Sequence, residues 1–183
     1  MNMIVVCYSG KGSNKFLAEK ISEALDCELI KLEPRVPGLV LPATFSRISM
    51  GNKPVNTDLT NFDRVILCGP LYMGSIAAPC NDFMKKYSKQ IKTLDIATCC
   101  ASTDKKKNDQ FGYGRVFNYL KEKTAPIAGI FEAFPIELVM DEDQKNDDQA
   151  TMNTRLNNEN FKGAIQLRLD KFINEIKHAP EQI

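Results

Sequence analysis

This sequence is short of most features that announce a function outright. It has a single histidine, His178, and its six cysteines include no C-x-x-C pair, which leaves little from which to build a zinc site. Its 24 Lys and Arg residues are offset by 23 Asp and Glu, for a formal net charge of +1. No overall field therefore draws nucleic acid or an anionic membrane, and only local clusters could do so. No apolar run reaches spanning length and no charged-then-apolar leader opens the chain, so the expectation is a soluble cytoplasmic protein without membrane insertion. There is no internal repeat and no basic stretch interleaved with aromatics, so no nucleic-acid partner is expected. The acidic residues between Asp141 and Asn160 lack EF-hand spacing, so no calcium loop is expected either.

What is present is the composition of a single folded unit. The 183 residues, 43% of them hydrophobic, suffice for one well-buried core and are too few for two comfortable ones, so one domain spanning 1–183 is expected. The chain opens with Met3-Ile4-Val5-Val6-Cys7-Tyr8, a β-branched apolar run of strand length that suits a strand buried on both faces. Ser9-Gly10-Lys11-Gly12-Ser13-Asn14 interrupts it, and Leu17, Ala18, Ile21, Ala24 and Leu25 then recur at helical spacing. A buried strand feeding a glycine-containing loop and the start of a helix is a ready anion site. Several backbone N–H groups lack partners at the positive end of the helix dipole, and small residues let a phosphate reach them. The alternative is a plain turn in which Ser13 or Asn14 caps the helix. The loop lacks the third glycine of a dinucleotide fingerprint and the G-K-[ST] ending of a P-loop. Cys7, Cys68, Cys99 and Cys100 lie in apolar runs, and the thiols read as buried, reduced small hydrophobes.

Tyr8 to Lys15, continuing into Phe16-Leu17-Ala18-Glu19, resembles the phosphate loop of the flavodoxin family, where Y-S-G-T-G-N-T precedes a helix with L-A-E. Here Lys11, Ser13 and Asn14 replace Thr, Asn and Thr. A second stretch, Gly69-Pro70-Leu71-Tyr72-Met73-Gly74-Ser75 before a helix containing Asp82-Phe83-Met84, is similar to the G-x-P-x-Y-x-G segment that lies against the flavin ring in that family. The resemblance implies FMN as cofactor, with Ser9, Gly10, Lys11, Gly12, Ser13 and Asn14 around its phosphate. It also implies Pro70, Leu71, Tyr72, Met73 and Gly74 against the ring, Gly74 letting the backbone approach flavin N5. A third loop, with Ser102, Thr103 and Asp104 as positional candidates and Phe111 or Tyr113 as ring covers, would serve the pyrimidine side. Lys105-Lys106-Lys107 reads as solvated surface, or, if close to flavin N1, as a device that raises the reduction potential.

Further strands are expected at Glu28 to Leu32, Asp63 to Gly69, Leu94 to Ala101 and Ile130 to Met140, the last at an edge or bulge because of Pro135. The second crossover is irregular, with only Ala43 to Met50 able to supply a helix, Phe45 and Ile48 forming its apolar side. Its role stays open between lid, oligomer contact and surface loop, and Asp141 to Asn160 reads as a surface loop. Strands alternating with helices indicate an α/β protein with a parallel sheet. The resemblance implies a flavodoxin-like three-layer sandwich with five strands in the order 2-1-3-4-5, which binds its ligand where the winding reverses. The expected function is electron transfer through FMN, to a redox partner protein or a small acceptor such as a quinone. Near-neutral charge and the Lys105 to Lys107 run favour an NAD(P)H-linked quinone or flavin reductase over a shuttle with an acidic docking face. The competing reading is a flavodoxin-like domain without FMN that serves as an interaction module. The oligomeric state, a homodimer included, is open.

Overall fold

The first apolar run forms strand β1 (Met3–Cys7), and its alternation decides the layering. Ile4 and Val6 face one core while Val5 and Cys7 face another, all of them buried. A computed structural model describes residues 1–72, 74–101, 112–145 and 147–180. In it, β1 is followed by α1 (Ser13–Leu25), β2 (Glu28–Lys31), α2 (Val40–Ser46) and β3 (Arg64–Cys68). A short hairpin, β4 (Leu71–Tyr72) and β5 (Ser75–Ile76), leads into α3 (Ala78–Tyr87). Then come β6 (Leu94–Cys100), α4 (Tyr113–Lys123), β7 (Ala128–Pro135), α5 (Asp148–Asn153) and α6 (Ala164–His178).

The main sheet is parallel throughout and runs β2-β1-β3-β6-β7. Counting only its own strands, this is 2-1-3-4-5, as expected. One face is covered by α1 and α6 through Leu17, Ile21, Leu169 and Phe172, the other by α3 and α4 through Phe83, Met84, Val116 and Leu120. The central strands β1, β3 and β6 need buried side chains on both faces, which is why they read as continuous apolar runs.

Asp95, fully buried in β6, and Arg64, buried at the start of β3, are the charged residues within those runs. The Asp95 carboxylate accepts two hydrogen bonds from Arg64 on β3, each 2.8 Å, and one from the Ile130 N–H of β7 at 2.7 Å. The β6–β7 register shifts between Leu94 and Ile96. The carboxylate thus supplies an acceptor where the bulge disrupts the ladder. Gly129 permits this approach, since a Cβ there would meet Asp95 Oδ1 at 2.3 Å.

Three expectations are corrected. The second crossover helix is Val40–Ser46, not Ala43 to Met50, and Phe45 and Ile48 face solvent at 52% and 63% exposure. Its inner side is Val40, Ala43 and Thr44, because the Thr44 hydroxyl accepts from Ala78 N–H at 2.9 Å and donates to the Val40 carbonyl at 2.7 Å, turning that face toward α3. The following residues are held by Asp82, whose Oδ2 accepts from the N–H groups of Met50 and Gly51. The last strand, at the sheet edge as expected, stops at Pro135 and passes into a 3-10 turn (Ile136–Val139) rather than reaching Met140. Proline has no N–H to continue the ladder. The Asp141 to Asn160 stretch is not wholly loop: it contains α5, whose amino end is capped by the Asp147 carboxylate accepting from Gln149 and Ala150 N–H.

Candidate functional site

At the carboxyl ends of β1, β3 and β6 a cavity of about 130 Å³ opens between the two loops singled out in the sequence. Ser9, Gly10, Lys11, Ser13 and Asn14 form one wall, and Pro70, Leu71 and Tyr72 the opposite one. Cys99, Cys100 and Ala101 close the third side. This is the point where the winding of the sheet reverses, between its first and third strands.

The first loop is shaped by Gly12, which starts α1 at φ +100° with open space around the position of its absent Cβ. Gly12 is itself the N-cap and no side chain caps the helix, so the capping alternative for Ser13 and Asn14 is set aside. The N–H groups of Ser13, Asn14 and Lys15 have no acceptor among the described residues, while Phe16 N–H already bonds Gly12 O. A donor cluster of this kind at a helix start suits an anion. The Ser9 hydroxyl accepts from Gly12 N–H at 3.1 Å and the Ser13 hydroxyl from Leu156 N–H at 3.2 Å. Accepting leaves the Ser9 O–H hydrogen available to donate, while the Ser13 hydroxyl also lies within hydrogen-bond reach of the Cys99 sulfur. Lys11 is exposed beside them.

Asn14 plays a part the sequence did not disclose. Its side chain is buried, donating to Cys99 O at 2.9 Å and accepting from Cys99 N–H at 2.8 Å. The β3–β6 pairing ends at Cys68 and Ala97, so the next groups on that side of β6 have no strand to bond, and the amide of Asn14 stands in for one. What Asn14 offers a ligand is its backbone N–H. Tyr72 is half-buried, with its hydroxyl where a Cβ on Gly10 would meet it at 3.0 Å, so ring and loop close on one another. Burial pushes the Tyr72 phenol up to about 12, and it stays neutral at physiological pH.

The structure adds residues that sequence reasoning missed. Thr151, Thr154 and Arg155, from the α5 segment, complete the rim. Arg155 is held by hydrogen bonds from its guanidinium to the carbonyls of Met152 and Thr154 and brings a second cation to the loop of Lys11. The Thr151 hydroxyl, in the same wall, is buried without a partner. The available signal was Arg155 as the lone arginine of an acidic, amide-rich stretch. Gly74 goes the other way: at φ +80° in the turn between β4 and β5, it lines a different and larger cavity. Met73, Ser102, Thr103, Asp104, Lys105 to Lys107 and Phe111 lie outside the described residues. Tyr113, the other ring cover expected, begins α4 and packs on Phe117 with ring centroids 5.8 Å apart.

At about 130 Å³ the enclosed volume is smaller than the ~300–1,000 Å³ that encloses a whole small ligand, so it suits one end of a longer molecule. Unpaired N–H groups, two hydroxyls, an orphaned threonine oxygen and two cations fit a phosphate end. Pro70, Leu71 and Tyr72 fit a flat apolar remainder. Among the described residues no cluster of side chains could hold a metal ion, and no helix is long and apolar enough to cross a membrane.

Fold and site together define an α/β protein of the class that binds ligands at the switch point of a doubly wound sheet. More narrowly, the Flavodoxin domain family model matches residues 4–169, and the chain belongs to that family. No curated protein matches it in sequence. Among solved structures it is similar to a flavoprotein in complex with FMN from Lactobacillus acidophilus NCFM, at 17% identity and a TM-score of 0.58, over 72% of this chain and 91% of that one. It is also similar to oxidised Flavodoxin 1 from Bacillus cereus, at 14% identity and a TM-score of 0.54, over 98% of this chain and all of the other. At these identities the likeness is one of fold.

Proposed function

We propose that this protein binds FMN and transfers electrons through it, as an NAD(P)H-linked reductase of a quinone or a flavin. The observation that carries the cofactor is the convergence of the Ser9 to Asn14 loop and the Pro70 to Tyr72 segment on one cavity at the switch point. Membership of the flavodoxin-domain family and the FMN held by the Lactobacillus acidophilus neighbour support it. FMN, when bound, supplies the redox chemistry. The chain's own residues hold and exclude. The N–H groups of Ser13, Asn14 and Lys15, with the Ser9 and Ser13 hydroxyls, bind the phosphate. Lys11 and Arg155 neutralise it, and Tyr72 and Leu71 shield the ring from water. No side-chain acid or base is assigned.

The reductase reading rests on the near-neutral net charge of the chain, which shows no overall acidic excess of the kind that docks a large redox partner. Titration with FMN, followed by visible absorbance, tests the cofactor, and saturable binding is expected. Stopped-flow mixing of the FMN-loaded protein with NADH and NADPH tests the reaction. Bleaching of the flavin without an added reductase is expected, and its absence would leave an electron carrier served by another enzyme. The second reading, an interaction module without FMN, is favoured by one feature: Val36, Leu39, Leu41, Phe45 and Ile48 leave an exposed apolar strip on the second crossover. Failure of the FMN titration would make that strip the functional surface.

A further inference from the structure

The second crossover, residues 33–53, leaves the body of the fold and returns to it through a closed neck. Arg35 N–H donates to Gly51 O at 3.1 Å and Lys53 N–H to Glu33 O at 2.8 Å, with a β-bridge between Pro34 and Asn52. Beyond the neck, the inner side of the segment is spent on α3. Thr44 bonds Ala78, Asp82 accepts from the N–H groups of Met50 and Gly51, and the Asn52 amide donates to Pro79 O at 2.8 Å. The outer side carries Val36, Leu39, Leu41, Phe45 and Ile48, five of the nine large apolar side chains exposed among the described residues. Leu41 and Phe45 stand one turn apart on the outer face of α2, and Ile48 follows its end. A contiguous apolar strip that fixed bonds hold toward water marks an interaction surface.

The charges beside the strip have one sign. No Asp or Glu occurs between Glu33 and Asp58, while Arg35, Arg47 and Lys53 do. Lys53 pairs with Glu33 at the neck, 2.7 Å apart. Arg35 and Arg47, one at each end of the strip, are exposed and have no carboxylate partner among the described residues. Lys85, exposed on α3 in the same cavity wall as Arg47 and Ile48, has none either. Asp82 lies buried beneath the segment and does not reach its outer face. The charges decide between occupants. A second copy docked through a two-fold axis would set the strip on its own image, bringing the arginines together with no acid of the segment between them. An anionic bilayer satisfies both features, since its headgroup phosphates take the cations and the acyl boundary beneath takes the apolar side chains.

We propose that the 36–48 segment seats this protein on the surface of an anionic phospholipid bilayer. Leu39, Leu41, Phe45 and Ile48 enter the boundary between headgroups and acyl chains, and Arg35, Arg47 and Lys85 lie at the headgroup phosphates. The protein rests on the bilayer without spanning it, since no helix among the described residues is long and apolar enough to cross. The formal net charge of +1 gives no general attraction to such a surface, so attachment is local to this face and reversible. The flavin cavity takes no part in the docking. The proposal therefore holds with or without FMN, and a failed FMN titration leaves it standing.

The test is cosedimentation of the full chain, with and without FMN, with sucrose-loaded vesicles of equal parts phosphatidylglycerol and phosphatidylcholine. Saturable binding is expected, weaker on phosphatidylcholine alone and weakened by added salt. Arg35→Gln and Arg47→Gln should each lower the partition coefficient about fivefold. The double substitution Phe45→Ser, Ile48→Ser should lower it about tenfold or more, with the urea midpoint and FMN affinity unchanged, because both side chains already face water. The chain contains no tryptophan, so Phe45→Trp places a single reporter on the strip. Its emission should shift to the blue on the anionic vesicles and be quenched by brominated acyl chains. Absence of binding to the anionic vesicles, binding indifferent to both sets of substitutions, or an unshifted tryptophan emission overturns the proposal. A dimer in sedimentation equilibrium that Phe45→Ser, Ile48→Ser dissolves, with the protein left in solution by the vesicles, also overturns it and assigns the strip to a second copy.

Discussion

Replacing Asn14 with Ala probes the joint between the phosphate loop and the fourth strand of the sheet. The Asn14 amide makes two hydrogen bonds, of 2.8 and 2.9 Å, to the backbone of Cys99, and the side chain is buried at 4% exposure. β3 has already ended opposite Ala97, so no other strand can take over. Removing the amide leaves one N–H and one C=O unpaired, each costing about 1–3 kcal/mol when buried. Water entering from the adjacent cavity recovers part of this, and alanine's better helix propensity a few tenths more. The expected net loss is about 2–4 kcal/mol, or about 5–15 °C in melting temperature for a chain of this length. Urea denaturation of the FMN-free protein, followed by circular dichroism, measures it. FMN titration of the same variant should show weaker binding, because the start of α1 is no longer fixed against β6. Asn14→Asp keeps the acceptor for Cys99 N–H but sets a buried carboxylate oxygen against the Cys99 carbonyl, so it should cost at least as much stability as Asn14→Ala. A loss for Asn14→Ala below about 1 kcal/mol, within the range of an ordinary surface substitution, with FMN affinity intact, would refute the reasoning.

Gly12→Asp should all but abolish FMN binding, whereas Gly12→Ala, which bears the same left-handed backbone cost of about 1–2 kcal/mol without a charge, should retain most of it. Equal affinities in a fluorescence titration would show that no phosphate sits at this loop. Asp95→Ala leaves the Arg64 guanidinium and the Ile130 N–H without their buried partner and should cost about 3–5 kcal/mol by denaturant melt, with FMN affinity changed little in the fraction that stays folded. Burial pushes the Cys7 thiol up to about 12, and burial with the nearby Asp26 pushes Cys27 up to about 11. In the unfolded chain these thiols ionise near pH 8.5, so above that value the unfolded state binds fewer protons and stability falls as pH rises toward the folded values. Melting temperature should therefore decline from about pH 9 upward, and a flat profile to pH 11 would contradict it. At pH 8 the thiol reagent DTNB should react first with half-buried Cys27, the other five being buried.

The sequence by itself determined the parallel sheet and its central strands, because a strand covered on both faces reads as a nearly continuous apolar run, and β1, β3 and β6 do so apart from Arg64, Asp95 and Thr98. It also singled out the two loops that the tertiary structure brings to one cavity, since small residues follow a buried strand directly at Ser9 to Asn14 and again from Gly69. It could not show that the amide of Asn14 is spent on Cys99, 85 residues away, because a long-range partner leaves no periodicity. Nor could it orient α2: Phe45 and Ile48 read as an inward stripe, yet one Thr44 hydroxyl bonded to Ala78 turns them out. Arg155 reached the loop of Ser9 to Asn14 only when the α5 segment was set against the sheet. Side chains distant in sequence contribute their charges singly and without pattern, and tertiary packing alone makes those charges a site.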